Sequence, residues 1–233
     1  MQSSVYIYTE DLFYLSFTIG LSMKVIQQSY EILTDLSDPM KFLKDIERAG
    51  RTCYKSESNI TDDSCIKFCK MLCERGHEAM LEHTQLSVKF TVDRGISHEI
   101  VRHRLFSFAQ ESTRYCNYSK DKFGKEIKVI SLNDYLDSDS YRVWYDSCMF
   151  AEYEYFALLE KGVKPEIARG VLPTSLATEI VVTGNIREWR HFFRLRCDVR
   201  AHPQMISISR KLLDDLKSKI PVLFDDITYY DTL

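Results

Sequence analysis

Residues 85–115 read "QLSVKFTVDRGISHEIVRHRLFSFAQESTRY", and the change of period inside this run decides the fold class. Leu86, Val88, Phe90 and Val92 alternate with polar residues, the pattern of a half-buried strand. From Ile96 the apolar positions move to helical spacing through Ile100 and Val101. Residues 105–114 have no clear period and predict an ordered loop. A strand that turns directly into a helix, without a G-x-G-x-x-G turn between them, argues against a dinucleotide-binding βαβ unit. Outward from this run the same mixture continues. "MKVIQQSYEIL" (23–33) and "TSLATEIVVTG" (174–184) have strand character. Helices are predicted over "DPMKFLKDIERAGRTCYKS" with Asp38 and Pro39 at its start, over 62–76, over 138–161 closed by Gly162, briefly from Pro165, over "NIREWRHFFRLR", and over "PQMISISRKLLDDLKSKI". No repeat, low-complexity stretch or linker divides the chain. The expectation is one α+β domain, a mixed or antiparallel sheet packed by helices.

Composition narrows the function classes. The chain has 233 residues, 45% of them hydrophobic, enough to bury a sizeable core. A formal net charge of −3 argues against a general nucleic-acid binder. Seven cysteines include no C-x-x-C pair. Cys65, Cys69 and Cys73 stripe one helix face and read as free thiols packed as small hydrophobes, which suits a reducing, cytoplasmic setting. At the N-terminus, "DLFYLSFTIGL" is apolar but too short to span a bilayer, and Glu10 and Asp11 stand where a secretory signal wants basic residues. Residues 1–22 are therefore expected to be an extension outside the core, with residues 23–233 forming the functional domain.

The opening run also carries chemistry-bearing residues. "HEIVRH" places His98 and His103 five apart, which on a helix separates them by roughly 140° and spoils a metal site. Two arginines flank His103 and would repel a cation. An anion site fits better. Arg102, Arg104 and Arg114 mix with Ser107, Gln110 and Ser112, and a second cluster follows at Arg187, Arg190, Arg194, Arg196 and Arg200. Guanidinium forks grip phosphate or a cyclic imide bidentately; the competing reading of the second cluster is a solvated face or a subunit contact. Trp189, Phe192 and Phe193 read as core.

Four stretches share one resemblance. "RHRLFSFAQES" fits R-H-R-x7-S through Arg102, His103, Arg104 and Ser112. "HEAMLEH" (77–83) resembles H-E-x-x-x-E-H, "ARGVLP" (168–173) resembles A-R-x-x-L-P, and "GNIREWRHFFRLRCDVRAHPQM" resembles N-x-R…F-x-x-L-R…A-Q. In this order, over about 23–215, they resemble the flavin-dependent thymidylate synthases. The resemblance implies reductive methylation of dUMP to dTMP, with methylenetetrahydrofolate as carbon donor, NADPH as reductant and FAD as relay. It also implies a homotetramer whose active sites combine several chains.

It further assigns residues. Arg102, His103 and Arg104 fall at flavin contacts, Arg102 also near dUMP. Glu99, Ile100, Val101 and Arg102 match a dUMP-binding run, and Gln110, Glu111, Ser112, Thr113 and Arg114 the loop at the dUMP phosphate. Gln110 also falls among the flavin positions. Arg169 matches another dUMP arginine. Asn185, Ile186, Arg187 and His191 match flavin positions, and Arg196 the arginine that polarises the uracil ring. His77, Ala79 and Glu82 lie on a segment lining the flavin and folate pocket. Arg196 and Ser112 are the candidate catalytic pair, with Ser112 a ligand contact rather than a nucleophile. The chain departs from the pattern at Ala109-Gln110, where many members carry Asn-Glu, at His191, where some have Asn, and at Ala79. A non-catalytic flavin- or nucleotide-binding relative is the alternative reading.

Overall fold

A computed structural model describes residues 23–116, 118–119 and 124–230. The expected 1–22 extension lies outside the described residues. The architecture is α+β, as the change of period implies. The described residues cluster into two compact units built from interleaved segments: unit 1 from 23–28, 91–97 and the described part of 110–179, unit 2 from 29–90, 98–109 and 180–230.

Unit 1 holds β1 (Lys24–Ile26) paired in parallel with β5 (Lys128–Ile130), Val25 opposite Val129. An antiparallel bridge joins Val129 to Leu176. The long helix α4 (Ser138–Glu160) is capped by the Asp137 side chain, which accepts from Ser140 N at 2.8 Å. Tyr118, Ile127, Val129, Cys148, Tyr155, Ala168 and Leu176 form this unit's core. The short helices α3 (Arg94–Ile100) and α5 (Pro165–Ala168) complete the elements that carry site residues; only the first part of α3 belongs to this unit.

Unit 2 holds most residues of a four-stranded sheet in the order β2-β3-β6-β4: β2 (Ser29–Ile32), β3 (Gln85–Asp93), β6 (Ala177–Asn185) and β4 (Ser107–Gln110), of which 91–93, 177–179 and 110 are counted with unit 1. Leu86, Val88, Phe90 and Val92 are all buried, as their alternation requires. Helices α1 (Pro39–Tyr54), α2 (Ser64–Glu74), α6 (Ile186–Arg196), α7 (Pro203–Lys219) and α8 (Pro221–Phe224) supply the rest. Trp189, Phe192 and Phe193 are fully buried, and Trp189 Nε1 donates to Leu86 O at 2.9 Å. Cys65, Cys69 and Cys73 are buried free thiols on α2.

Four expectations change. "MKVIQQSYEIL" breaks into β1 and β2 at residues 27–28. The 105–114 segment is not all loop, because Ser107–Gln110 forms β4 beside β6; four residues are too few to declare a period. The three-residue β5 and the four-residue α8 escaped notice for the same reason. The helix beginning at residue 94 stops at Ile100, and His103 lies in the turn beyond it. The helical angle between His98 and His103 therefore does not apply. Among the described residues no group of three or more His, Cys, Asp or Glu is placed to hold a metal ion, and no helix is long and apolar enough to cross a membrane.

Candidate active site

The site residues of unit 1 gather on the 110–116 loop. Its entry is fixed by backbone: Glu111 N donates to Glu179 O at 2.8 Å. Gln110 is anchored rather than free, its amide donating to Ser97 Oγ at 2.9 Å and Thr178 Oγ1 at 3.3 Å. Glu111 O accepts from Arg94 Nη2 at 3.3 Å, and its carboxylate accepts from Tyr118 OH at 3.1 Å. Burial first, then the nearby Glu111 charge, pushes the Tyr118 phenol well above its ordinary value, so it stays a donor. Ser112 begins a tight turn: its carbonyl accepts from Tyr115 N and Cys116 N, and its Oγ from Arg114 N at 3.3 Å.

Two guanidiniums converge on that turn. Arg169 Nη1 donates to Thr113 Oγ1 at 3.1 Å, and Arg114 Nε to Glu166 Oε2 at 3.2 Å. Both arginines are exposed while Thr113 is buried. The 165–169 segment thus grips the 113–114 turn at two points, and the group presents two cations with the Ser112 hydroxyl, a donor set suited to a phosphate dianion. Beside it lies a cavity of about 340 Å³ lined by Thr91, Glu111, Cys116, Tyr118, Thr178 and Glu179.

The site residues of unit 2 centre on α6. Asn185 caps it by accepting from Glu188 N at 2.9 Å. Arg187 and His191, one turn apart, are exposed on one face, and Arg187 pairs with Glu82. At the far end Arg196 is held at three points: Nε donates to His103 Nε2 at 2.9 Å, Nη1 to Glu99 Oε2 at 2.9 Å, and Nη2 to Glu99 O at 3.0 Å. Three of a guanidinium's five N–H groups are so engaged. The remaining two, one on each Nη, have no partner among the described residues.

The R-H-R triplet divides. Arg102 and Arg104 point outward, while His103 is buried against Phe192 and Phe106, with ring centroids 5.0 and 5.9 Å away. Burial first, then the charges of Arg196 and His191, lowers the His103 pKa to about 4, so the ring is neutral at neutral pH. Ile100 and Ile186 are fully buried. Their side chains serve the core, so any ligand contact at these two positions comes from backbone. Val101 is half-buried, and Ala79 is exposed beside His77 on a cavity of about 600 Å³ that also takes in Arg51, Phe68 and Arg75.

One residue of the second arginine cluster is misassigned by sequence reading. Arg190 is fully buried, neither a solvated cation nor an anion ligand. Its Nε donates to Glu78 Oε1 at 2.9 Å, its Nη2 to Asp226 Oδ2 at 2.6 Å, and its Nη1 to Leu223 O. Arg194 Nη2 also donates to Glu78, at 2.6 Å. The signal was present: Ile186, Trp189, Arg190 and Phe193 follow one apolar helix face. Buried carboxyls were also missed, among them Glu188 beside His103 at 3.5 Å and Glu152 in unit 1.

Comparison with known proteins gives the following likenesses. The family model for thymidylate synthase complementing protein matches residues 35–222. The flavin-dependent thymidylate synthase of Corynebacterium aurimucosum is 36% identical over 194 residues, covering 78% of each chain. That of Geobacter sulfurreducens is 32% identical over 186 residues, covering 76% of this chain and 78% of the relative. Among solved structures, the UMP/dUMP methylase PolB from Streptomyces cacaoi, bound with 5-Br dUMP, superposes with a TM-score of 0.69 at 22% identity, over 87% of this chain and 96% of that one. This last likeness is one of fold.

Proposed function

The chain belongs to the flavin-dependent thymidylate synthases, and we propose that it methylates dUMP to dTMP with methylenetetrahydrofolate as carbon donor, NADPH as reductant and FAD as cofactor. The observation that carries the reading is the state of Arg196. A guanidinium fixed at three points, with one N–H left on each Nη, is a bidentate donor already aimed. Carbon 5 of a uracil is a weak nucleophile until negative charge builds on the ring. A pre-oriented cation at the imide stabilises that charge as it develops. Ser112, Thr113, Arg114 and Arg169 hold the phosphate, so that binding energy positions the ring.

The donor chemistry fits a flavin dinucleotide. Arg187 and His191 share an exposed helix face, Arg102 and Arg104 are exposed on the turn after α3, and such a cationic set suits a pyrophosphate. When bound, the flavin supplies the reducing chemistry; the protein supplies position and field. Asn185, the backbone of Ile186, His103 and Gln110 belong to the same set, and Ala79 with His77 lines the space for flavin and folate. Gln110, held by Ser97 and Thr178, keeps an oriented amide where many relatives carry a carboxylate. A homotetramer in which several chains complete each site is part of the proposal.

Arg196→Ala tests the assignment. The variant is expected to retain bound flavin and its visible absorption bands, and to lose at least 100-fold in turnover, the order seen when one charge-stabilising donor is removed. Unchanged turnover contradicts the role, and a colourless protein that takes up no added FAD contradicts the reading as a whole.

A further inference from the structure

The His103 ring has a polar neighbour at each nitrogen. Nε2 accepts from Arg196 Nε at 2.9 Å, and Nδ1 lies 3.5 Å from Glu188 Oε1, at the long end of hydrogen-bond reach. An arginine Nε always bears hydrogen, so this contact requires a bare Nε2. A neutral imidazole then keeps its one proton on Nδ1, the side that faces the Glu188 carboxyl. Both side chains are almost sealed from solvent, at 3% and 6% exposure, so water is a poor substitute for either partner. The neutral ring follows from that burial, which with Arg196 and His191 nearby disfavours a second proton.

Glu188 is held in place as well. It sits in the first turn of α6, where the Asn185 cap fixes the helix start. The titratable and charged groups facing it are His191 and Arg187 of its own helix and the neutral His103 ring. A continuous line results: Glu188, His103, Arg196, Glu99. Within that line stands Arg196, the guanidinium proposed above to meet the pyrimidine.

We infer that Glu188 is a positioning residue for the reaction: its carboxyl selects the Nδ1-protonated tautomer of His103, and that tautomer holds Arg196 in its donor orientation. The role rests on the reading of Arg196 given above. If Glu188 is replaced by an apolar residue, Nδ1–H is left buried without an acceptor, and the tautomer that accepts from Arg196 loses its stabilising partner. In the competing Nε2-protonated form two N–H donors face each other, and the guanidinium turns away. Glutamine keeps an acceptor oxygen and leaves the tautomer in place; leucine does not.

The test compares Glu188→Leu and Glu188→Gln holoenzymes in tritium release from [5-³H]dUMP, together with ¹⁵N shifts of labelled histidine. Glu188→Leu is expected to lower kcat about 10- to 100-fold, the scale on which outer partners of a ligating histidine act, with flavin retained and the KM for dUMP within about twofold. Glu188→Gln is expected to stay within about threefold of wild type. Release by Glu188→Leu at the wild-type rate overturns the inference, as does an equal loss in both variants. The ¹⁵N spectrum decides independently of turnover, with Glu188→Ala in place of Glu188→Leu if the latter does not fold. Nδ1-protonated His103 in wild type that gives way to the Nε2-protonated form in the apolar variant supports the inference; Nε2 protonation in wild type, or an unchanged tautomer in the variant, overturns it. No release by the wild-type enzyme refutes the proposed function, and the tautomer measurement still stands apart from it.

Discussion

Glu152 is a buried carboxyl whose cost can be measured. It is fully buried on α4; Oε1 accepts from Ile127 N at 2.8 Å, and Oε2 has no partner among the described residues. Burial pushes its pKa up from 4.5 to about 7, against the pull of the Ile127 and Met23 backbone N–H groups. The sign follows from proton counting. Between the unfolded and folded values the native state binds more protons than the unfolded one, so stability falls as pH rises through this window. At 1.36 kcal/mol per pH unit between the two values, the loss is about 3 kcal/mol, complete above pH 8. Glu152→Gln removes the titration while keeping the oxygen that serves Ile127. Urea unfolding of both proteins, at one protein concentration, should show the variant gaining about 2–3 kcal/mol on wild type between pH 5 and pH 8.5. A stability difference that is the same at both pH values refutes the argument.

Arg190→Met should destabilise by roughly 3–5 kcal/mol in the same assay, because Glu78 and Asp226 lose the cation that sits between them; a loss below about 1 kcal/mol would show the network to be incidental. Gly184→Ala drives a Cβ into the Phe106 ring, so thermal unfolding should reveal a loss of about 1–3 kcal/mol. Gly170→Ala, with nothing within 4 Å, should stay within about 0.5 kcal/mol of wild type.

How far the sequence could be read depends on the length over which a pattern repeats. The nine residues of β3 declare their alternation, and Leu86, Val88, Phe90 and Val92 are buried accordingly. β4 and β5, of four and three residues, are strands only because β6 and β1 offer a partner, which no local pattern records. The same distinction separates the arginines. Arg114 and Arg169 are legible as exposed cations, whereas Arg190 is identical in composition and is buried by two carboxylates more than 30 residues away in sequence. Glu188 was illegible for a related reason. It looks like an ordinary first-turn acid that favours a helix N-terminus, and its approach to His103 exists only once residues 85 positions apart are folded together.

The most direct test of the central claim is tritium release from [5-³H]dUMP by purified protein. Release that requires FAD, NADPH and methylenetetrahydrofolate together, with dTMP formed in equal amount, is the predicted result. A flavin-loaded protein that binds dUMP yet releases no tritium with all three present contradicts it.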